Sequence, residues 1–377
     1  MVHVDSIRRC VAAALLLAGV ASPASSSGRS SPRSTQHWAT ATPEEMGLSS
    51  EVLAQLVDFG AAAQMDSLLV VRHGRIVAEV YYAPFKADQR HRLNSATKGV
   101  TAALVGAAIQ AGRLEGTNRP ATAFFPGDAA AFADARKREI RVQHLLDMTS
   151  GLDWDEPLTG KAASAIEMER TRDWVRYVLD RPMKQAPGVA FNYNSGNSQL
   201  LSAIVKRATG LRAEKFAVES LFQPMGIVDF DWNVDPTGLS TGGFGLQMTT
   251  RDMAKLGSLY LQDGMWNGQR LLPPGWTDRP RQARVAMNLG TPDAFFYADG
   301  WWVAPARGLQ MLAGMNRQVI LLRPSKGLVV VSTGRAPWRW ERFFDLLESA
   351  VRSDQALRPD LGRLRALWAR QEAASSP

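Results

Sequence analysis

Cysteine is almost absent from this chain of 377 residues, and histidine is scarce. The single cysteine, Cys10, lies ahead of an apolar run at residues 11–20 and not behind it. Once a leader ending after that run is removed, no disulfide, thiolate nucleophile or cysteine-based metal site remains available. The five histidines (His3, His37, His73, His91 and His144) contain no H-x-x-x-H pair, which argues against a zinc site. The apolar run is too short to cross a bilayer. It follows Arg8 and Arg9 and precedes the small residues Ala21, Ser22 and Ala24, which is the layout of a secretory signal. Residues 1–24 are therefore expected to be a signal peptide, with a secreted or periplasmic product and no stable membrane insertion after cleavage. Residues 25–37, rich in Ser, Arg and Pro, read as a disordered leader. The net charge of +8 comes largely from arginines scattered singly, and no basic stripe interleaved with aromatics is present, so nucleic acid is not an expected partner.

What is present is a pattern of strands at both ends and helices between. Residues 67–72 and 75–82 read as strands joined by a His73-Gly74 turn. A helix-rich stretch at about 114–235 includes residues 142–148, 166–179 and 195–208, the last stopped by Thr209-Gly210. Gly242-Gly243-Phe244-Gly245 reads as a flexible loop before a helix at 250–261. Residues 301–304, 318–322 and 328–333 read as strands, the last two joined by a turn at Pro324-Ser325-Lys326-Gly327. Residues 338–351 read as a closing helix, with Trp340, Phe343, Phe344, Leu347 and Val351 at helical spacing. The predicted fold is α+β: one antiparallel sheet built from both chain ends, flanked by helices, with an inserted mostly helical lobe. One catalytic domain is expected over 38–353, followed by a helical tail at 354–377.

Three short motifs carry chemistry. In Ser95-Ala96-Thr97-Lys98 a serine and a lysine stand three positions apart, hence on one face of a helix. Asn94 reads as the N-cap and Gly112 as the stop of that helix. The spacing lets the lysine amine take the serine proton, making a nucleophile without histidine. Tyr193-Asn194-Ser195 lies just before a helix, where a phenol facing a cleft can relay a proton. Ala313-Gly314-Met315-Asn316-Arg317-Gln318 reads as the start of the strand at 319–322, where a glycine edge admits a substrate and offers a backbone N–H to an oxyanion. Each motif alone also fits a plain structural role: a capping serine with a solvated lysine, a packed turn tyrosine, a strand start. Gly238-Leu239-Ser240-Thr241-Gly242 matches the G-x-S-x-G nucleophile elbow, but all five histidines precede Ser240, so the order Ser, acid, His cannot be completed.

In order and spacing these motifs resemble the serine β-lactamase and penicillin-binding-protein fold, and within it the class C β-lactamase-related hydrolases: esterases, DD-peptidases and 6-aminohexanoate-dimer hydrolases. The resemblance runs over roughly residues 38–351 and includes His144-Leu145-Leu146-Asp147-Met148-Thr149-Ser150-Gly151-Leu152, Gly243-Phe244-Gly245-Leu246 and Gly300-Trp301-Trp302. It implies a serine hydrolase with Ser95 as nucleophile, Lys98 as base and Tyr193 as proton relay. It also implies the backbone N–H groups of Ser95 and Met315 as oxyanion hole, and Ser195, Gly314 and Asn316 as substrate-binding residues. No metal or organic cofactor is implied. The sequence departs from class C β-lactamases in carrying Ser195 where they have Asn, in lacking a Lys or His ahead of Gly314, and in placing Arg317 where these hydrolases usually have Gly. Small esters or amides are therefore the expected substrates. β-Lactam or peptidoglycan turnover and a non-catalytic binding module on the same fold are the alternatives. The sequence does not specify an oligomeric state.

Overall fold

The computed structural model describes residues 38–376 apart from 159–161, 283, 288–292 and 338. The expected signal peptide and leader lie outside the described residues. Strands β1 (Met65–Arg72) and β2 (Arg75–Tyr81) form a hairpin whose two-residue turn, His73 and Gly74, has positive φ at both positions, as a tight twisted hairpin requires. Six more strands come from the C-terminal half: β3 (Val285–Ala286), β4 (Phe296–Ala298), β5 (Trp301–Ala304), β6 (Leu309–Gly314), β7 (Gln318–Arg323) and β8 (Leu328–Gly334). They join in one eight-stranded sheet of order β2-β1-β8-β7-β6-β5-β4-β3, each pair antiparallel. Strand β1 meets β8 with Val70 opposite Val330, so the two chain ends pair directly within the sheet.

The central strands are apolar along their whole length because both faces are covered. Alternation then sorts their side chains into two cores. Leu69 and Val71 of β1, Ile320 and Leu322 of β7, and Val329 and Val331 of β8 pack with α2 (Thr97–Gln110), α3 (Ser195–Thr209) and α4 (Thr250–Leu261). Leu68, Val70, Val319, Leu321, Leu328 and Val330 pack on the other side with α1 (Ser50–Ala62) and α5 (Trp340–Ala350). The final helix, α6 (Leu361–Ser375), buries Leu364 and Leu367 and ties back through Ala83 N–H to Ala374 O at 2.9 Å and an Arg370–Asp58 ion pair at 2.9 Å. Between α2 and α4 the chain builds the helical lobe, and Arg90–Arg92, just before α2, joins Leu246–Thr249 and Phe230–Trp232 in a small three-stranded sheet. Among the described residues no helix is long and apolar enough to cross a membrane.

Several local expectations change. Residues 166–179 are two helices, Ala163–Glu169 and Trp174–Asp180, because Asp173 accepts the Arg176 N–H at 2.9 Å and starts a second helix. The helix at Val142–Leu146 ends early, with Met148 in a left-handed conformation. Strand β6 and the strand Leu246–Thr249 have no counterpart in the sequence reading. Consequently Gly314 closes strand β6, and the strand after it begins at Gln318.

Candidate active site

Ser95 sits in a single 3-10 turn, Asn94–Ala96, that runs directly into α2. Asn94 is not the N-cap. Its φ of 48° is left-handed, and its side-chain amide donates to Met315 O at 2.9 Å, tying the serine turn to the loop between β6 and β7. Gly314 explains how close these segments come. A Cβ at that position would lie 2.1 Å from Leu93 O and 3.2 Å from Ala96 N, so only glycine lets the end of β6 rest against the turn. Deeper in the same contact Gly99 of α2 meets Leu312 of β6, where a Cβ would lie 2.1 Å from Leu312 Cδ2. The glycines therefore press the serine turn onto the end of β6 and set the position of Ser95 relative to the Met315 backbone.

Lys98 is one helical turn on and only 3% exposed. Its Nζ lies 3.2 Å from Ser95 Oγ and donates to Gly243 O at 3.0 Å. The glycine pair expected to form a flexible loop is instead pinned. Thr101 Oγ1 donates to Gly242 O at 2.7 Å, Gly242 N–H donates to Gln199 Oε1 at 2.9 Å, and a Cβ at Gly242 would meet Ser198 O at 1.8 Å. Glycine is needed there for close approach to α3, and the result is a fixed carbonyl beneath the lysine amine.

Tyr193 is brought to the same place, with Lys98 Nζ 4.7 Å from its ring centroid, so the amine meets the face of the phenol ring. The ring is 8% exposed and is held by Phe191 and by Tyr297, the latter edge-on at 6.4 Å. Burial, and then the neighbouring Tyr193, push the Tyr297 phenol well above its ordinary range. Behind Tyr297, Arg284 joins Asp147 and Asp299 at 2.8 Å each, and Arg279 joins Asp299 at 2.9 Å, linking the helical lobe to the β4–β5 turn. Burial raises the Asp147 carboxyl above its usual range, against the opposing pull of the Arg284 hydrogen bonds.

Asn194 caps α3 by accepting the Asn197 N–H at 3.0 Å. Ser195, the first residue of α3, donates its hydroxyl to Glu156 Oε1 at 2.6 Å and its N–H to Glu156 Oε2 at 2.7 Å. Glu156 was not among the expected site residues. It lies in an irregular segment without periodicity, and the only hint was its position beside Trp154, whose Nε1 also donates to it at 2.6 Å.

Met315, Asn316 and Arg317 form the turn between β6 and β7, with φ of 60° at both Asn316 and Arg317. Met315 is 56% exposed on the site's rim. The Arg317 guanidinium stacks on Trp340 of α5 at 4.0 Å, which directs that side chain toward the closing helix. The competing Ser240 is fully buried, donates to Glu214 Oε2 at 2.6 Å and accepts the Glu214 N–H at 3.2 Å. The structure therefore groups Ser95, Lys98, Tyr193, Ser195, Gly314 and Met315, and holds Ser240 in a structural contact.

The Beta-lactamase family model matches residues 50–335. The chain is 27% identical over 307 residues to the 6-aminohexanoate-dimer hydrolase of Paenarthrobacter ureafaciens, covering 77% of each protein. It is 29% identical over 179 residues to Esterase EstB of Burkholderia gladioli, covering 43% of this chain and 45% of that esterase. Among solved structures, a penicillin-binding protein homolog from Caulobacter crescentus superposes with a TM-score of 0.64 at 16% identity, covering 83% of this chain and 98% of that one.

Proposed function

Because the chain belongs to the beta-lactamase family and is a serine hydrolase of that fold, we propose that it cleaves small esters or uncharged amides through an acyl-enzyme on Ser95. The observation that carries this reading is the buried Lys98 amine 3.2 Å from Ser95 Oγ, anchored by the Gly243 carbonyl. Lys98, acting as base, takes the hydroxyl proton as Ser95 Oγ attacks the carbonyl carbon. The resulting oxyanion lies between the N–H groups of Ser95 and Met315, and losing one such donor typically costs ~10²–10³ in rate. Tyr193, against the same amine, shares the proton and passes it to the leaving group. Water then adds to the acyl-enzyme as Lys98 accepts its proton, and Lys98 passes that proton to Ser95 Oγ as the ester bond breaks and the acid product leaves.

The substrate class follows from charge. No lysine or histidine precedes Gly314, where Met311, Leu312 and Ala313 stand, and Arg317 is engaged by Trp340. A cation to hold a penicillin or peptide carboxylate is thus missing from that strand, which supports esters and amides over β-lactams. The names of two of its relatives, a 6-aminohexanoate-dimer hydrolase and an esterase, support the same reading. The Arg8-Arg9 segment, the apolar run after it and the small residues at its end support export of the mature protein.

Intact-mass spectrometry after a fluorophosphonate probe tests the reaction. One adduct per chain is expected, absent in Ser95→Ala. Labelling that persists in that variant, or moves to Ser240, would overturn the assignment. Short-chain p-nitrophenyl esters run beside nitrocefin test the substrate class, and faster nitrocefin turnover would restore a β-lactamase. Mass analysis of the exported protein tests the leader: a mature chain beginning near residue 25 is expected.

A further inference from the structure

Glu156 is an acidic group built into the Ser95 site that the acyl-transfer steps leave unused. Its carboxylate accepts hydrogen bonds from Ser195 N–H at 2.7 Å, the Ser195 hydroxyl at 2.6 Å and Trp154 Nε1 at 2.6 Å. Among the described residues its donors are all neutral, so they solvate the negative charge without cancelling it. A carboxylate has no proton to give, so the serine donates, and a hydroxyl carries only one proton. Ser195 therefore keeps only acceptor lone pairs for anything else that approaches it.

The placement of Ser195 makes this relevant to the reaction. A Cβ added at Gly243 would lie 3.3 Å from Ser195 Cβ and 3.4 Å from Lys98 Nζ, so the serine and the catalytic amine flank the same point of the glycine loop. The Glu156 charge stands one hydroxyl away from that point. Glu156 itself is partly exposed, in a segment whose next residues, Pro157 and Leu158, are exposed.

We propose that Glu156 determines which substrate charge this site accepts. Building on the Ser95 acyl-enzyme reading, Glu156 disfavours acyl donors that carry a carboxylate near the scissile bond. It favours neutral or cationic ones, and Ser195 accepts a hydrogen bond from a substrate N–H. This differs from the mere lack of an anchoring cation, because a missing cation leaves anionic substrates unassisted whereas Glu156 actively repels them.

Three p-nitrophenyl esters of similar acyl length test this: butyrate (neutral), the succinate monoester (anionic) and 4-(trimethylammonio)butyrate (cationic). In the native enzyme kcat/KM should be lowest for the anion and highest for the cation. Whatever the change in absolute rate, Glu156→Gln should raise the anion-to-neutral ratio roughly tenfold, the scale of a screened unit-charge interaction across a partly exposed site. The same variant should lower the cation-to-neutral ratio. Glu156→Asp, which keeps the charge, should keep most of the native ranking. Raising NaCl to 1 M should narrow the native spread, because the interaction is screened. Unchanged ratios in a Glu156→Gln protein that still labels at Ser95 would overturn the proposal. Should that variant fail to fold, a native ranking insensitive to salt would overturn it instead. A folded native protein with neither labelling nor ester turnover would remove the hydrolase reading, and this one with it.

Discussion

Ser95 and Ser240 are both serines in recognised nucleophile contexts, and the structure treats them in opposite ways. Ser95 is in an open 3-10 turn, partnered by the amine of Lys98 at 3.2 Å. Ser240 is buried in an irregular segment and donates to the carboxylate of Glu214 at 2.6 Å. A hydroxyl facing a base can lose its proton toward that base. A hydroxyl already donating to a carboxylate at the bottom of a packed loop has its proton committed and no approach for a carbonyl carbon. The difference teaches that a nucleophile motif is a statement about a neighbour and an opening, and that four or five matching letters supply neither.

Substitution of the two serines gives the largest contrast. Ser95→Ala should reduce ester turnover by on the order of 10⁴–10⁶, as for other catalytic serines, with little change in unfolding free energy. Ser240→Ala should keep turnover within a few-fold and lose about 1–3 kcal/mol of stability, because the Glu214 carboxylate loses a buried donor. Steady-state kinetics beside urea denaturation measures both, and a reversal of the two profiles would exchange the roles of the serines. Next, Lys98→Ala should cost about 10²–10⁴ in kcat/KM, the usual range for a positioned general base, while Tyr193→Phe should retain slow acylation, measurable as residual single-turnover release of p-nitrophenol. Equal losses in the two variants would break the assignment of Lys98 as base with Tyr193 as relay.

Gly314→Ala comes third. Its Cβ would meet Leu93 O at 2.1 Å, so the serine turn and the Met315 loop must part. A loss of about 1–3 kcal/mol in stability and a fall of up to ~10² in kcat are expected from overpacking and misplaced reacting groups. A kcat at the native level would show that the contact does not set the geometry.

The smallest effect is alkaline. Burial raises Tyr81, Tyr82 and Tyr297 above the ordinary phenol range and Tyr260 to about 12. These folded values exceed the unfolded one, so the stabilisation is complete below about pH 10 and is lost as pH rises toward the folded values, where the unfolded chain releases protons that the folded one keeps. None of the six tyrosines lies within residues 213–245, around Ser240. Denaturant midpoints at pH 8 to 11, with absorbance at 295 nm, should show these phenols ionising only as the protein unfolds.

Much of the fold was legible in advance. The apolar runs of β1, β7 and β8 and the Gly and Pro turns between elements predicted a sheet shared by both chain ends, and the pairing of Val70 with Val330 realises it. Strand β6 was not legible. Leu309–Gly314 is covered on both faces, so it has no apolar-polar alternation, and its glycine read as the start of the following strand. The loop 242–245 was misread for a related reason. Glycine signals either freedom or close approach, and the sequence does not say which neighbour is pressing against it.

What the sequence by itself determined is local. Helix geometry alone places Lys98 one turn from Ser95, so that pairing was fixed by a three-residue spacing. The tertiary structure decided what those residues meet. The Lys98 amine rests on a carbonyl 145 residues away, and Asn94 turns from the expected cap into a tie to Met315 across 221 residues. Glu156 accepts the Ser195 hydroxyl's hydrogen bond across 39 residues, and Arg317 stacks on Trp340. Contacts of this kind depend on where the sheet and the helical lobe bring loops together. Common side chains in irregular segments carry no period that would announce the meeting.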